Sequence, residues 1–156
     1  MNPTILHATD AQGCQAVREL CREYADALGV DLETQNLSHE LAHLPGHYAP
    51  PSGCLLLATV LGQPAGCVAL KRLSDGICEM KRLYVRPQYR RTGLGRALVE
   101  RVIQEARLLG YISMRLDSLP ARMRRAAALY REMGFVNIPP YWNNVLPGVE
   151  YMELEL

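Results

Sequence analysis

The stretch from Ile77 to Gly110 constrains this chain most, because it reads as a strand, a glycine turn and a helix in immediate succession. The strand is Ile77 to Val85, and Pro87, which has no N–H to give to a ladder, ends its pairing. The turn is Arg90-Arg91-Thr92-Gly93-Leu94-Gly95-Arg96. The helix carries Leu94, Leu98, Val102, Ala106 and Leu109 on one stripe, and Gly110 closes it. Glycines at a helix mouth let a ligand approach the backbone closely. The first N–H groups of the helix have no partner within it, and the macrodipole adds positive character there. With Arg90, Arg91 and Arg96 alongside, the stretch reads as a seat for phosphate, and for pyrophosphate in particular.

Two familiar phosphate loops do not fit. The Walker loop needs Lys-Ser/Thr after its last glycine, and none is present. The dinucleotide fingerprint needs a third small residue where Leu98 stands.

The rest of the chain predicts one domain over residues 1–156, with βααβββαβαββ as its element order. Thr4 to Ala8 reads as a first strand, with Thr9 and Gln12 as a capping box for the helix that follows. That helix bears Val17, Leu20, Cys21, Tyr24, Ala25 and Leu28 at helical spacing, and Gly29 stops it. From Asp31 to Ser52 the pattern weakens, apart from a short helix over Leu37 to Leu44 and a rigid loop from Pro45 to Pro51. Cys54 to Val60, Ala65 to Leu70 and Ile77 to Val85 form an antiparallel meander, with turns at Leu61 to Pro64 and Ser74 to Gly76. The long helix then leads to a strand over Ile112 to Asp117, which must lie parallel to Ile77–Val85. Pro120 suits the first turn of a last helix, whose stripe is Ala126, Leu129, Tyr130 and Met133. Short strands follow at Phe135 to Ile138 and Val149 to Leu156.

Charge and cysteine usage narrow the class. The net charge of +1 gives no general pull toward nucleic acid or membrane, and no run reaches transmembrane length. The five cysteines show no Cys-x-x-Cys spacing, so they read as buried free thiols of a cytoplasmic protein. The four histidines do not make a metal set, and no metal is expected.

Arg-x-x-Gly-x-Gly after a strand and a Val-x-Pro resembles the acetyl-CoA-binding loop of the GNAT acyltransferase superfamily. Ala126-Ala127-Ala128-Leu129-Tyr130-Arg131-Glu132-Met133-Gly134-Phe135 is similar to that family's second signature, Ala-x-x-Leu-Tyr-x-x-x-Gly-Phe. The resemblance covers Cys54 to Phe135 by motif and the remainder by element order. It implies an α/β fold: a single GNAT-like domain with a mixed central sheet, antiparallel meander plus a splayed parallel pair, flanked by helices. It also implies transfer of an acetyl group from acetyl-CoA to a primary amine in a ternary complex. The expected acceptor is a small molecule. A protein N-terminal or lysine acetyltransferase and a non-catalytic acyl-CoA sensor are the alternatives.

Residue by residue, the resemblance implies that Leu83, Tyr84 and Val85 hold the pantetheine arm by their backbone, like an added strand. Arg90, Arg91, Thr92, Gly93, Leu94, Gly95 and Arg96 would hold the pyrophosphate, with Arg124 or Arg125 toward the 3′-phosphate. Tyr130 stands where the family's tyrosine stands and would protonate the leaving thiolate. Glu79 stands where several histone acetyltransferases carry a glutamate, and is the candidate base. Members often carry Asn seven residues before the tyrosine; here that residue is Met123, and the contact is not carried over. Independently of the family, Tyr48, Tyr141 and Trp142 in Pro-rich loops and Asp117 at a strand end are the expected acceptor contacts. The terminal strand leaves an edge, from which a homodimer is expected.

Overall fold

In a computed structural model that describes residues 2–29, 36–144 and 146–156, the elements follow the expected order. They are β1 (Thr4–His7), α1 (Ala11–Leu28), α2 (Leu37–Ala42), β2 (Cys54–Val60), β3 (Gln63–Ser74), β4 (Ile77–Val85), α3 (Leu94–Leu108), β5 (Ser113–Ser118), α4 (Arg124–Glu132), β6 (Val136–Ile138) and β7 (Glu150–Glu155). The strands form one sheet in the order β1-β2-β3-β4-β5-β7-β6. All neighbours are antiparallel except β4 and β5, which the α3 crossover makes parallel.

The continuous apolar run of β2 means that both faces of the sheet are covered. Leu56, Ala58 and Val60 face a core shared with Leu98, Val99, Val102 and Ala106 of α3 and Tyr130 of α4. Leu55 and Leu57 face a second core built from Val17, Leu20 and Cys21 of α1 and Leu37 and Leu41 of α2. Helices therefore flank the sheet on both sides, as the resemblance implied.

Several local expectations are corrected. Asp10, not Thr9, caps α1, its carboxylate accepting from the Gly13 N–H at 2.7 Å. Helix α4 begins at Arg124, because Pro120 opens a separate turn closed by the N–H groups of Arg122 and Met123 on the Leu119 carbonyl. Leu109 lies past the end of α3 and is 41% exposed, so the buried stripe stops at Ala106. Strand β7, last in sequence, pairs with β5 on one side and β6 on the other. The edge from which dimerisation was expected is thus absent there; the sheet's edges are β1 and β6.

The feature that shapes the site is a bulge in β4. Cys67 pairs with Tyr84 and Ala69 with Lys81, so Val68 of β3 faces both Arg82 and Leu83. Arg82 takes φ +61, a strained choice for a residue with a side chain. Simple alternation would put Glu79, Lys81, Leu83 and Val85 on one face. The bulge instead turns Leu83 and Val85 toward the α3 core, with Met80.

A buried fork holds this conformation. Arg82 donates Nε to Oε2 of Glu40 at 2.8 Å and Nη2 to Oε1 at 3.0 Å. The two side chains are 4% and 20% exposed. Burial pushes the Glu40 carboxyl up, but the Arg82 hydrogen bond and charge outweigh it and hold the group below its ordinary value. A depressed carboxyl contributes stability above its unfolded pKa that is lost as pH falls through the folded one. The stabilisation is therefore expected to fade below pH 4.5, the ordinary glutamate value. Glu40→Gln, which removes the negative charge facing a buried guanidinium, should cost roughly 3 kcal/mol in chemical denaturation and flatten that acid dependence. A loss under about 1 kcal/mol would place the pair among ordinary surface ion pairs.

Candidate active site

The parallel pairing of β4 and β5 covers only Ile77–Glu79 against Ser113–Arg115. Beyond it the strands diverge, and Met80 to Leu83 on one side face Leu116 to Leu119 on the other across a narrow cavity of about 50 Å³. Among the described residues, the β4 backbone past Glu79 consequently has no partner strand on that side.

Tyr130 reaches this gap from α4 and is buried to 7% exposure. Its hydroxyl makes no hydrogen bond to a described residue. Yet no buried side-chain oxygen or nitrogen among the described residues lacks a partner. The hydroxyl must therefore open on the cavity. Burial raises its pKa, with the nearby Tyr24 and Asp117 adding to the effect, so it stays a proton donor well into alkaline pH.

On one side the gap adjoins a cavity of about 420 Å³ at the mouth of α3; Leu83, Met123 and Ala126 line both. Its wall includes Leu83, Tyr84, Val85, Arg90, Arg91, Gly93, Leu94, Gly95, Arg124 and Arg125, which the sequence marked, with Tyr89, Arg122 and Leu129 in addition. Gly93 is the left-handed residue before the helix, at φ +84, and no side chain caps that end. A Cβ at Gly93 would meet nothing within 4 Å, so the space before it is open. The two other marked residues face elsewhere. Thr92 donates its hydroxyl to the Tyr89 carbonyl at 2.6 Å, and Arg96 donates to Glu132 at 2.7 Å. Arg90 folds back to donate Nε to the Val85 carbonyl at 2.9 Å.

On the other side, Lys81 links the gap to a cavity of about 540 Å³ lined by Lys71, Leu73, Ser74, Glu79, Lys81, Arg115, Tyr141 and Trp142. The loop before β7 is tied to both acidic candidates. Tyr141 donates its hydroxyl to Glu79 Oε2 at 2.6 Å, and Trp142 donates Nε1 to Asp117 Oδ2 at 2.9 Å. Asn144 Nδ2 also donates to Asp117 Oδ2, at 3.2 Å, so Asp117 serves the loop rather than a helix end. Tyr151 on β7 anchors the same loop by donating to the Trp142 carbonyl at 2.8 Å.

Tyr48 does not join this group. It is 2% exposed in the α1–α2 core and donates its hydroxyl to Glu40. Its place is in the network that holds the bulge. The sequence did not mark Lys71, Lys81 and Arg115, which line the cavity that holds Glu79; their alternation along β3, β4 and β5 was the available signal. Of the histidines, His7 does approach Cys54 and Glu105, with ligand atoms within 4.8 Å of one another. Glu105 Oε1 is already shared there by His7 Nε2 at 3.2 Å and Arg101 Nε at 3.0 Å, an ionic arrangement.

Comparison with known proteins gives a consistent answer. A family model described as Acetyltransferase (GNAT) family matches residues 14–135. An uncharacterised N-acetyltransferase of Schizosaccharomyces pombe is 45% identical over 139 residues, which span 88% of this chain and 85% of that protein. The crystal structure of a GNAT-family acetyltransferase from Staphylococcus aureus superposes with a TM-score of 0.83 at 18% identity, covering 99% of each chain. PaiA N-acetyltransferase from Thermoplasma acidophilum, solved in complex with coenzyme A, superposes with a TM-score of 0.77 at 17% identity over 100% of each chain.

Proposed function

This chain belongs to the acetyltransferase (GNAT) family, an acetyl-CoA-dependent group, and from that premise we propose that it acetylates the primary amine of a small-molecule acceptor by direct transfer in a ternary complex. The observation that carries this reading is the divergence of β4 and β5, which leaves one narrow cavity between a glycine-mouthed cavity and a separate polar one. Two substrates entering from opposite sides would meet there. The 540 Å³ of the polar side is the scale of a metabolite site.

The residues at the α3 mouth fit acetyl-CoA, because Gly93 leaves open space, and Gly95 carries no side chain, where a phosphate would touch backbone. We assign the unpaired β4 edge at Leu83 to Val85 to the pantetheine arm, and the N–H groups from Gly93 to Arg96 to the pyrophosphate. Arg91, Arg124 and Arg125 would supply charge around it. Bound there, acetyl-CoA supplies the activated acetyl group.

Tyr130 then offers its proton to the departing sulfur, and Glu79, set in the acceptor cavity by Tyr141, takes the proton released by the amine. Glu79→Gln is expected to lower kcat/KM roughly 10²-fold while the KM of acetyl-CoA holds. An unchanged kcat/KM in the folded variant would assign that proton to solvent and Glu79 to holding the loop. The five cysteines are all free and buried, which supports the cytoplasmic setting. Among the described residues no helix is long and apolar enough to cross a membrane.

The test is an acetyl-CoA turnover assay against a panel of amines, with CoA binding followed separately. Acetylated amine at a rate above acetyl-CoA hydrolysis supports the reading. CoA binding without transfer to any amine would favour an acyl-CoA sensor.

A further inference from the structure

The polar cavity is more cationic than an amine acceptor alone would call for. Among the described residues, Lys71, Lys81 and Arg115 line it with a single acid, Glu79. That carboxylate is already divided. Its Oε2 takes the Tyr141 hydroxyl, and its Oε1 lies 3.6 Å from Lys71 Nζ and 3.9 Å from Lys81 Nζ. Both distances exceed a hydrogen bond. Neither ammonium donates a hydrogen bond to a described residue, although the Lys81 side chain is only 10% exposed. Since no buried polar side-chain atom among the described residues is unpartnered, the Lys81 nitrogen opens on the cavity.

Neighbouring acids do not fill this demand. Glu153 pairs with Arg115 at 2.6 Å from outside the cavity wall, and Asp117 Oδ2 is engaged by Trp142 and Asn144. Burial lowers the pKa of Lys81 even with Glu79 and Asp117 nearby, so the charged ammonium is under-compensated where it stands.

We propose that Lys71 and Lys81 form a clamp for a carboxylate on the acceptor, which makes the acceptor an amino acid-type molecule with an amine and a carboxylate on one small frame. This rests on the transferase reading above. The carboxylate supplies the acceptors that the two ammonium groups lack. Tyr141, Trp142 and Leu73 receive the apolar part of the molecule. The clamp also serves the chemistry. Two cations disfavour a third, so they favour the neutral, nucleophilic form of the incoming amine.

The experiment pairs L-phenylalanine, L-methionine and L-aspartate with their α-amides as acceptors, for the wild type and for Lys71→Gln. Lys71 is the more exposed of the two lysines, with 31% of its side chain accessible, and its replacement spares the core. In parallel, calorimetric titration of the CoA-saturated protein with N-acetyl-L-phenylalanine and its amide reads binding without turnover. The wild type is expected to prefer an acid over its amide by roughly tenfold or more in kcat/KM, through KM. Lys71→Gln should cut that preference roughly tenfold, while the KM of acetyl-CoA holds. Equal use of acid and amide, or a variant that loses both alike, overturns the clamp and leaves the transferase standing. No transfer to any amine, with acid-selective binding that Lys71→Gln abolishes, supports the clamp and overturns the transferase. Absence of both transfer and acid-selective binding overturns both.

Discussion

Tyr130→Phe is expected to lower kcat by roughly 10²-fold or more, the scale of losing a positioned acid, while the variant folds normally. The two halves of that expectation come from different observations. The ring of Tyr130 packs in the α3 core and meets Phe135 at a centroid distance of 5.8 Å, and phenylalanine keeps that packing. The hydroxyl makes no hydrogen bond to a described residue, so its removal leaves no partner unpaired. Stability should therefore change by well under about 1 kcal/mol. What the hydroxyl has is an opening onto the gap between β4 and β5, where the thioester would lie. Negative charge grows on the sulfur as the bond breaks, and a buried phenol can give up a proton there without having carried a charge beforehand. The KM of acetyl-CoA should hold, since on the proposed reading other groups hold the phosphates and pantetheine. The measurement is steady-state kinetics with a pre-steady-state check that chemistry limits turnover. A folded phenylalanine variant with full turnover under that condition would make Tyr130 a core residue only.

How much of this was legible depends on the range of the interaction. The bounds of β2 and β4 are those read from the sequence, because a continuous apolar run and a proline stop are local signals. The parallel pair follows from a strand–helix–strand unit, and its divergence is what the family resemblance implied. Strand β3 runs to Ser74, past the expected end at Leu70, because its last residues alternate between half-buried and exposed instead of staying apolar. The bulge was not legible: nothing adjacent to Arg82 demands φ +61, and its fork to Glu40 spans 42 residues. Tyr48 was misplaced for the same reason. A Pro- and Gly-rich segment reads as surface loop, but its tyrosine plugs the α1–α2 core and reaches Glu40. The polar cavity proposed for the acceptor joins side chains of β3, β4, β5 and the loop before β7, which no spacing rule relates.

Gly95→Ala separates fold from ligand at the other end of the site. A glycine in the first turn of a helix is a poor choice for stability, by up to about 1 kcal/mol against alanine. The surroundings do not require it. A Cβ built at Gly95 meets only Val85 Cγ2 at 3.9 Å and Leu129 Cδ2 at 4.0 Å, ordinary contact distances. Gly93 is the less clean site for this experiment, because its φ of +84 strains any side chain whatever the space. If Gly95 serves the bare fold, alanine should be neutral or harmful. If it is there so that a phosphate can touch the backbone, alanine should do two opposite things. The melting temperature of the free protein should hold or rise, and CoA affinity should fall roughly tenfold or more, the worth of one displaced charge-assisted hydrogen bond. The residual affinity should still weaken with added salt, because Arg91, Arg124 and Arg125 line the same cavity. Calorimetric titration with CoA beside a thermal melt reads both. Full CoA affinity in a folded Gly95→Ala protein would show that the pyrophosphate does not rest on this helix mouth.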